Sequence, residues 1–344
     1  MHMPTEARRR VRRVVILSYA YLPSIGGIER VTQILAEGLA ARGWEVTVVT
    51  ATPGGPAPGV VRNPGWWKLA RLLRSASVVV ESNVSLALAW PLVVGIVRTP
   101  RITVLHAPLR AASRNSPRLR DRIKAAALPR RSTYVVSRWL GDQLPVPVRF
   151  MPNPYDDSLF YPVPGRRRSG LLFVGRLVGA KGLDIAVDAI STLRPDTRLT
   201  VIGAGPEEGI LSALAETRGV RVDFLGAMGP AQIASEMRAH EVLVIPSSAS
   251  PPEVYPLVAI EGLASGCRVV ATNSGGLPEA VGGTERIVEV GDVRGLSRAL
   301  EESLADGPLR PEEWDARAPH IQRHALENVI GAYEAAITDA MLLR

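Results

Sequence analysis

Cysteine is nearly absent: Cys267 stands alone in 344 residues, which excludes an internal disulfide. With no stretch that reads as a secretory signal, this leads us to expect a reducing, cytoplasmic compartment. A lone thiol can be a nucleophile, but the residue serves far more often as a small apolar packing group. Long apolar runs are missing too. The best candidate, residues 86–97, is 12 residues long and is interrupted by Pro91 and Gly95, whereas a helical span needs about 20 apolar residues. The basic start, Arg8 to Arg13, is followed by an apolar run of only four residues, 14–17, too short for a secretory core and better suited to a buried first strand. Aromatic residues make up 5% of the chain. No stacking platform or known module for nucleic acid is visible, so no nucleic-acid partner is expected. Repeats and low-complexity tracts are absent as well.

What is present is a soluble-type composition, 46% apolar and 22% charged, over a length that suggests about two domains. The net charge of +8 hides an asymmetry: residues 1–168 carry 26 Lys/Arg against 9 Asp/Glu, and the remainder 15 against 24. A basic first half suits an anionic partner. Residues 110–131 concentrate this charge, with Arg110, Arg114, Arg118, Arg120, Arg122, Lys124, Arg130 and Arg131 against Asp121. Interleaved Leu119, Ile123 and Leu128 make the stretch partly amphipathic, fitting an anionic lipid surface or a solvated face. Trp66-Trp67 reads as an interfacial anchor, an acceptor platform or a helix-packing pair, and residues 52–65 before it as a loop.

Apolar runs at residues 13–17, 45–50, 77–80, 101–106 and 133–137 alternate with helical patterns at 28–42 and 86–97. That alternation predicts βαβ units and a parallel sheet. Residues 162–170 have linker composition, and the alternation then restarts with strands at 171–174, 198–202, 220–224, 242–246 and 268–271, closing on a helix over 318–343. The expected division is 1–164, 165–320 and a terminal helix, 321–344, packing back on the first domain.

The strongest chemical signal is Glu253-Val254-Tyr255-Pro256-Leu257-Val258-Ala259-Ile260-Glu261. Pro256 suits the first helical position, leaving the Leu257 and Val258 amides free at a helix N-terminus, an anion site. Glu253 and Glu261 would flank a diphosphate there and accept hydrogen bonds from sugar and ribose hydroxyls; spacing alone also fits two solvated glutamates. Arg176 and Lys181 follow the strand at 171–174, where they either neutralise a departing diphosphate or are ordinary surface cations. Ile202-Gly203-Ala204-Gly205 opens a dinucleotide fingerprint, but the third glycine, Gly209, comes one residue late.

Taken together, these pieces resemble the retaining GT-B glycosyltransferases with the Glu-x7-Glu motif, the group 1 (family 4) enzymes. The resemblance runs over roughly residues 13–335 and rests on Gly26-Gly27-Ile28-Glu29-Arg30, Val104-Leu105-His106, Val136-Ser137, Pro152 to Asp156 with Phe160, Phe173 to Leu177 with Lys181-Gly182, Ile202 to Pro206, Phe224-Leu225-Gly226, Glu253 to Glu261, and Gly275 to Glu279. It implies an α/β GT-B fold, two doubly wound Rossmann-like domains facing a central cleft. It also implies transfer of a hexose, with retention, from a nucleotide-diphosphate sugar to a membrane-associated, lipid-linked or polysaccharide-precursor acceptor, on the cytoplasmic side and peripheral to the cell membrane. In that likeness Arg176 and Lys181 bind the diphosphate, Glu261 the ribose and Glu253 the transferred sugar. Gly26 and Gly27 let the first loop approach the phosphate, His106 sits near the sugar, and Leu225 and Gly226 lie near the base. The resemblance implies front-face attack with no carboxylate nucleophile, the leaving phosphate helping to take the acceptor proton. The chain has no Asp-x-Asp pair, so no metal and no further cofactor is expected. Pro256 replaces the family's usual glycine and removes an amide from the sugar's neighbourhood. Two other chemistries fit the same scaffold: a nucleotide-sugar 2-epimerase and a catalytically silent binding relative.

Overall fold

The computed structural model describes residues 12–24, 26–109, 119–129 and 131–342. The first domain carries β1 (Arg13–Ser18), α1 (Gly27–Ala41), β2 (Glu45–Thr50), β3 (Val60–Arg62), α2 (Trp66–Ser75), β4 (Val78–Ser82), α3 (Leu86–Val93), β5 (Arg101–Leu105), α4 (Leu119–Ala126), β6 (Thr133–Val135), α5 (Arg138–Gly141) and β7 (Arg149–Phe150). The second carries β8 (Leu171–Val174), α6 (Leu183–Ile190), β9 (Arg198–Ile202), α7 (Glu208–Arg218), β10 (Arg221–Phe224), α8 (Pro230–Ala239), β11 (Val242–Ile245), α9 (Leu257–Ala264), β12 (Arg268–Thr272), α10 (Leu277–Ala280), β13 (Arg286–Val288) and α11 (Val293–Ala305). Two more helices, α12 (Pro311–Arg323) and α13 (Leu326–Leu342), close the chain.

Each domain is one parallel sheet, ordered β3-β2-β1-β4-β5-β6-β7 in the first and β10-β9-β8-β11-β12-β13 in the second. Strands buried on both faces need continuous apolar runs. β1, β4 and β11 supply them, with Val14, Ile16, Val78, Val79, Val242 and Leu243 all fully buried. In both sheets the strand order reverses at the first strand, between β1 and β4 and between β8 and β11. Such a switch point opens a crevice at the carboxyl ends of the strands.

The tail departs from the single expected helix. The chain breaks between α12, which packs on α9, and α13, which packs on α1, β4 and β5 of the first domain. His324 sits at the break with its polar groups diverted from the helix. Its carbonyl accepts from the Tyr155 amide at 3.1 Å, its Nδ1 lies 2.8 Å from the Asn153 carbonyl, and its Nε2 lies 2.7 Å from the Tyr255 hydroxyl. Strands β3, β7 and β13 lay outside the expected pattern, with two or three residues each and too few to show alternation, and so did the 13-residue α11.

Candidate functional site

The switch point of the second sheet determines which side chains meet. Lys181 ends a single 3-10 turn, Gly179–Lys181, just after β8, and Glu253 lies in the loop after β11, the neighbouring strand. Their side chains touch: Lys181 Nζ is 2.5 Å from Glu253 Oε1, and Ser247 Oγ donates to the same oxygen at 2.7 Å. Both are largely enclosed, with 25% and 15% of the side-chain surface exposed. The turn at Lys181 depends on Gly182 (φ +66°), where a Cβ would stand 2.0 Å from the Pro246 carbonyl oxygen. Arg176 stands two residues past β8 and is exposed, and its neighbour Gly175 packs beside Lys181.

Pro256 is the N-cap of α9, with φ −71° and ψ +126°, one position earlier than expected. Its extended ψ, not its missing amide, is what it contributes. The Leu257 and Val258 amides begin the helix and have no acceptor within it. Glu261 is the fifth residue of α9 and feels the first domain: burial lifts its pKa to about 7, Arg30 pulls it down and Asp156 pushes it up. Arg30, on α1, is paired with Asp156 at 3.2 Å.

The first domain closes the crevice from its own strand ends. Gly26 and Gly27 follow β1 at the start of α1. Nothing lies within 4 Å of where a Cβ on Gly27 would stand, so space is open there. His106 follows β5 and is buried; desolvation lowers its pKa to about 4, partly opposed by a hydrogen bond with Asn153. Its Nε2 and the Asn153 Oδ1 are the two buried side-chain polar atoms without a geometrically satisfied partner among the described residues. The Asn153 amide donates to the Tyr255 carbonyl at 3.4 Å, which ties His106 to the Glu253–Glu261 segment. Leu225 and Gly226 lie at the end of edge strand β10, where the Gly226 carbonyl accepts from Gly203 at 2.8 Å and Leu225 is exposed. They stand at the outer end of the same strand edge as Arg176, apart from the Lys181–Glu253 contact.

Several contacts sit on residues to which the sequence assigned no role. Glu279 reaches across to cap α5, accepting from the Arg138 amide at 2.7 Å and the Trp139 amide at 2.8 Å. A Cβ on Gly276 would meet the Ser137 side chain at 3.0 Å. Ser247 was readable only as a serine just past a strand end. A cavity of about 210 Å³ lies at the strand ends of the first domain, lined by Tyr19, Asn83, Val84, Ser85, Leu105, Ala107, Pro108, Leu109 and Lys124. No group of three or more His, Cys, Asp or Glu is placed to hold a metal among the described residues. No helix of the described residues is long and apolar enough to cross a membrane. Cys267 is buried and its thiol is pushed up to about 11, consistent with packing. Of the basic stretch, Arg110, Arg114, Arg118 and Arg130 lie outside the described residues, as do Arg8 to Arg10.

Residues 166–320 match the family model of the glycosyl transferases group 1. The D-inositol 3-phosphate glycosyltransferase of Acidothermus cellulolyticus is 34% identical over 242 residues, 60% of this chain and 53% of that protein. The Streptomyces coelicolor protein of that name is 38% identical over 168 residues, 44% of this chain and 36% of that protein. The chain thus spans about half or less of the curated relatives it matches. Among solved structures, Anabaena Alr3699/HepE in complex with UDP and glucose superposes with a TM-score of 0.78 at 18% identity, over 95% of this chain and 100% of that one. Sucrose-phosphate synthase from Thermosynechococcus elongatus gives 0.70 at 22% identity, over 96% and 98%. Residues 166–320 therefore resemble the group 1 glycosyltransferases in sequence, and both domains together share the GT-B fold of the solved glycosyltransferases.

Proposed function

We propose that this protein transfers a hexose, with retention and without a metal, from a nucleotide-diphosphate sugar to an acceptor held at a membrane surface. The observation that carries the reading is the Lys181–Glu253 contact at the sheet's switch point, beside the N-terminal amides of α9, which have no acceptor within the helix. A diphosphate seated on those amides would have Lys181 and Arg176 as counter-charges, and the neutralisation a divalent ion gives elsewhere would come from the two cations. Glu253 would accept from the sugar's hydroxyls and Glu261 from the ribose. As the bond to the leaving oxygen breaks, negative charge grows on the diphosphate toward Lys181 and Arg176. The departing phosphate oxygen is the base for the acceptor hydroxyl on the same face. His106, neutral above pH 5 because its pKa is about 4, would offer a hydrogen bond and no charge. The likeness to D-inositol 3-phosphate glycosyltransferases and the UDP and glucose in the HepE structure support a nucleotide-sugar donor and an anionic acceptor. The cavity beside Lys124 offers a first-domain surface for that acceptor, within a stretch of basic sequence, with the protein on the cytoplasmic face of the membrane.

The test is product analysis by NMR with a panel of nucleotide sugars, with and without acceptor lipid, in EDTA. Transfer with the donor's anomeric configuration kept, undiminished by EDTA, is expected. Donor conversion without acceptor would reveal an epimerase, and recovery only with magnesium or manganese would overturn the metal-free mechanism.

Glu261 gives a pH signature with a definite sign. With its pKa near 7, the empty site holds it largely protonated at pH 6 and ionised at pH 8. The ionised form is the better acceptor for ribose hydroxyls. Affinity for a nucleotide sugar, whose diester phosphates do not titrate in this range, should rise several-fold from pH 6 to 8 and then level off. Glu261→Gln should bind weakly and without that slope. A slope that persists in the variant would assign it to another group.

A further inference from the structure

The first domain bears an exposed apolar face away from the Lys181–Glu253 crevice. α2 buries Leu69, Ala70 and Leu73 against the sheet, yet Trp66 and Trp67 at its start are 50% and 67% exposed. Their rings stack on each other at 3.5 Å, so they shield little of their area from water by packing on the domain. Lys68, Arg71 and Arg74 are exposed on the same helix, and it has no acidic residue. At 100° per residue, Trp67, Arg71 and Arg74 fall on one stripe about 10 Å long. Beyond its far end, Arg74 Nη2 lies 3.5 Å from the Ile96 carbonyl. The turn after α3 there exposes Val94 and Ile96, at 61% and 50%. The face is thus a band of indole and aliphatic surface interleaved with cations, on the half of the chain that carries the excess positive charge.

Indole rings favour the headgroup level of a bilayer, where one edge can stay wet, and cations beside them favour anionic lipid. We propose that α2 together with the Val94–Ile96 turn is a docking face for an anionic phospholipid surface, resting on the reading above that the acceptor lies at a membrane. It is a contact in addition to residues 110–131. Trp66 and Trp67 follow β3 at the carboxyl edge of the sheet, the edge on which the crevice opens, whereas the Val94–Ile96 turn precedes β5 at the opposite edge, so docking lays α2 along the lipid with its tryptophan end on the cleft side.

The experiment is co-flotation of the full chain with vesicles of neutral phosphatidylcholine alone or mixed with anionic phosphatidylglycerol. Wild type should float with the mixed vesicles and much less with the neutral ones. Trp66→Ser with Trp67→Ser should lower the partition at least tenfold. Lys68→Gln, Arg71→Gln and Arg74→Gln together should lower the preference for anionic lipid about a hundredfold, at roughly fivefold per cation. The melting temperature of each variant should match wild type. Wild type that floats on neither vesicle overturns the membrane reading and this inference with it. Wild type that floats while the tryptophan variant floats equally well overturns the α2 face alone. A wild-type dimer in sedimentation that becomes monomeric in the tryptophan variant would make the patch a self-association surface and likewise overturn it.

Discussion

Replacing Lys181 by alanine is expected to lower kcat about a hundredfold while the melting temperature stays within a few degrees of wild type. Lys181 lies in a surface turn, so its removal opens no core cavity. What it removes is the partner of a carboxylate with only 15% of its surface exposed. Glu253 keeps just the Ser247 hydroxyl and swings away from the position it needs to hold a sugar hydroxyl. The same change deletes a cation aimed at the charge that grows on the leaving diphosphate, and loss of one such preorganised donor costs about 10²–10³ in turnover. Lys181→Arg should recover only part of the rate. A wide planar guanidinium on a three-methylene stem cannot reproduce a 2.5 Å contact made by a compact ammonium. Steady-state kinetics beside a melting curve decide the matter: wild-type kinetics in Lys181→Ala would remove Lys181 from the site.

Gly203→Ala should be among the most damaging changes outside the core. Gly203 has φ +146°, and a Cβ there would stand 1.8 Å from the Gly175 carbonyl oxygen. Either the backbone after β9 moves or the strand end that carries Arg176 moves. The conformational penalty and the clash together should cost about 3–5 kcal/mol, seen as a fall of about 10 °C in melting temperature, and nucleotide affinity should fall with it. Gly209, six residues on in α7, has open space around it, and alanine there should be neutral or slightly stabilising. Equal melting temperatures for Gly203→Ala and Gly209→Ala would refute this packing account.

The same pair shows what the sequence conveyed. Gly203 and Gly205 looked like the opening of a dinucleotide fingerprint. In the structure they let two strand ends touch, Gly205 bringing backbone against the Leu177 carbonyl at a would-be 2.2 Å. Pattern reading locates such glycines without telling a phosphate from a neighbouring loop. Buried parallel strands were legible because a strand covered on both faces must be apolar throughout, and β2, β8 and β9 coincide with their expected spans. The Lys181–Glu253 contact was legible only as two charged motifs. Their meeting comes from the strand order, in which β8 neighbours β11 across a gap of about seventy residues in sequence. The break at His324 was not legible, because Pro319 lies inside α12 and not at the break, and the interruption is imposed by Asn153, Tyr155 and Tyr255 of distant segments. Capping of α5 by Glu279 is similarly a product of how the domains meet.

In the proposed mechanism a nucleoside diphosphate lies between α9, Arg176 and Lys181. Titration calorimetry with UDP, GDP, ADP and TDP on wild type and on the Arg176→Ala, Lys181→Ala double variant tests it most directly. At least one of the four should bind wild type, and that binding should weaken by about a hundredfold or vanish in the double variant while its melting temperature holds. Absence of binding by all four nucleotides, or equal affinity in the two proteins, would contradict it.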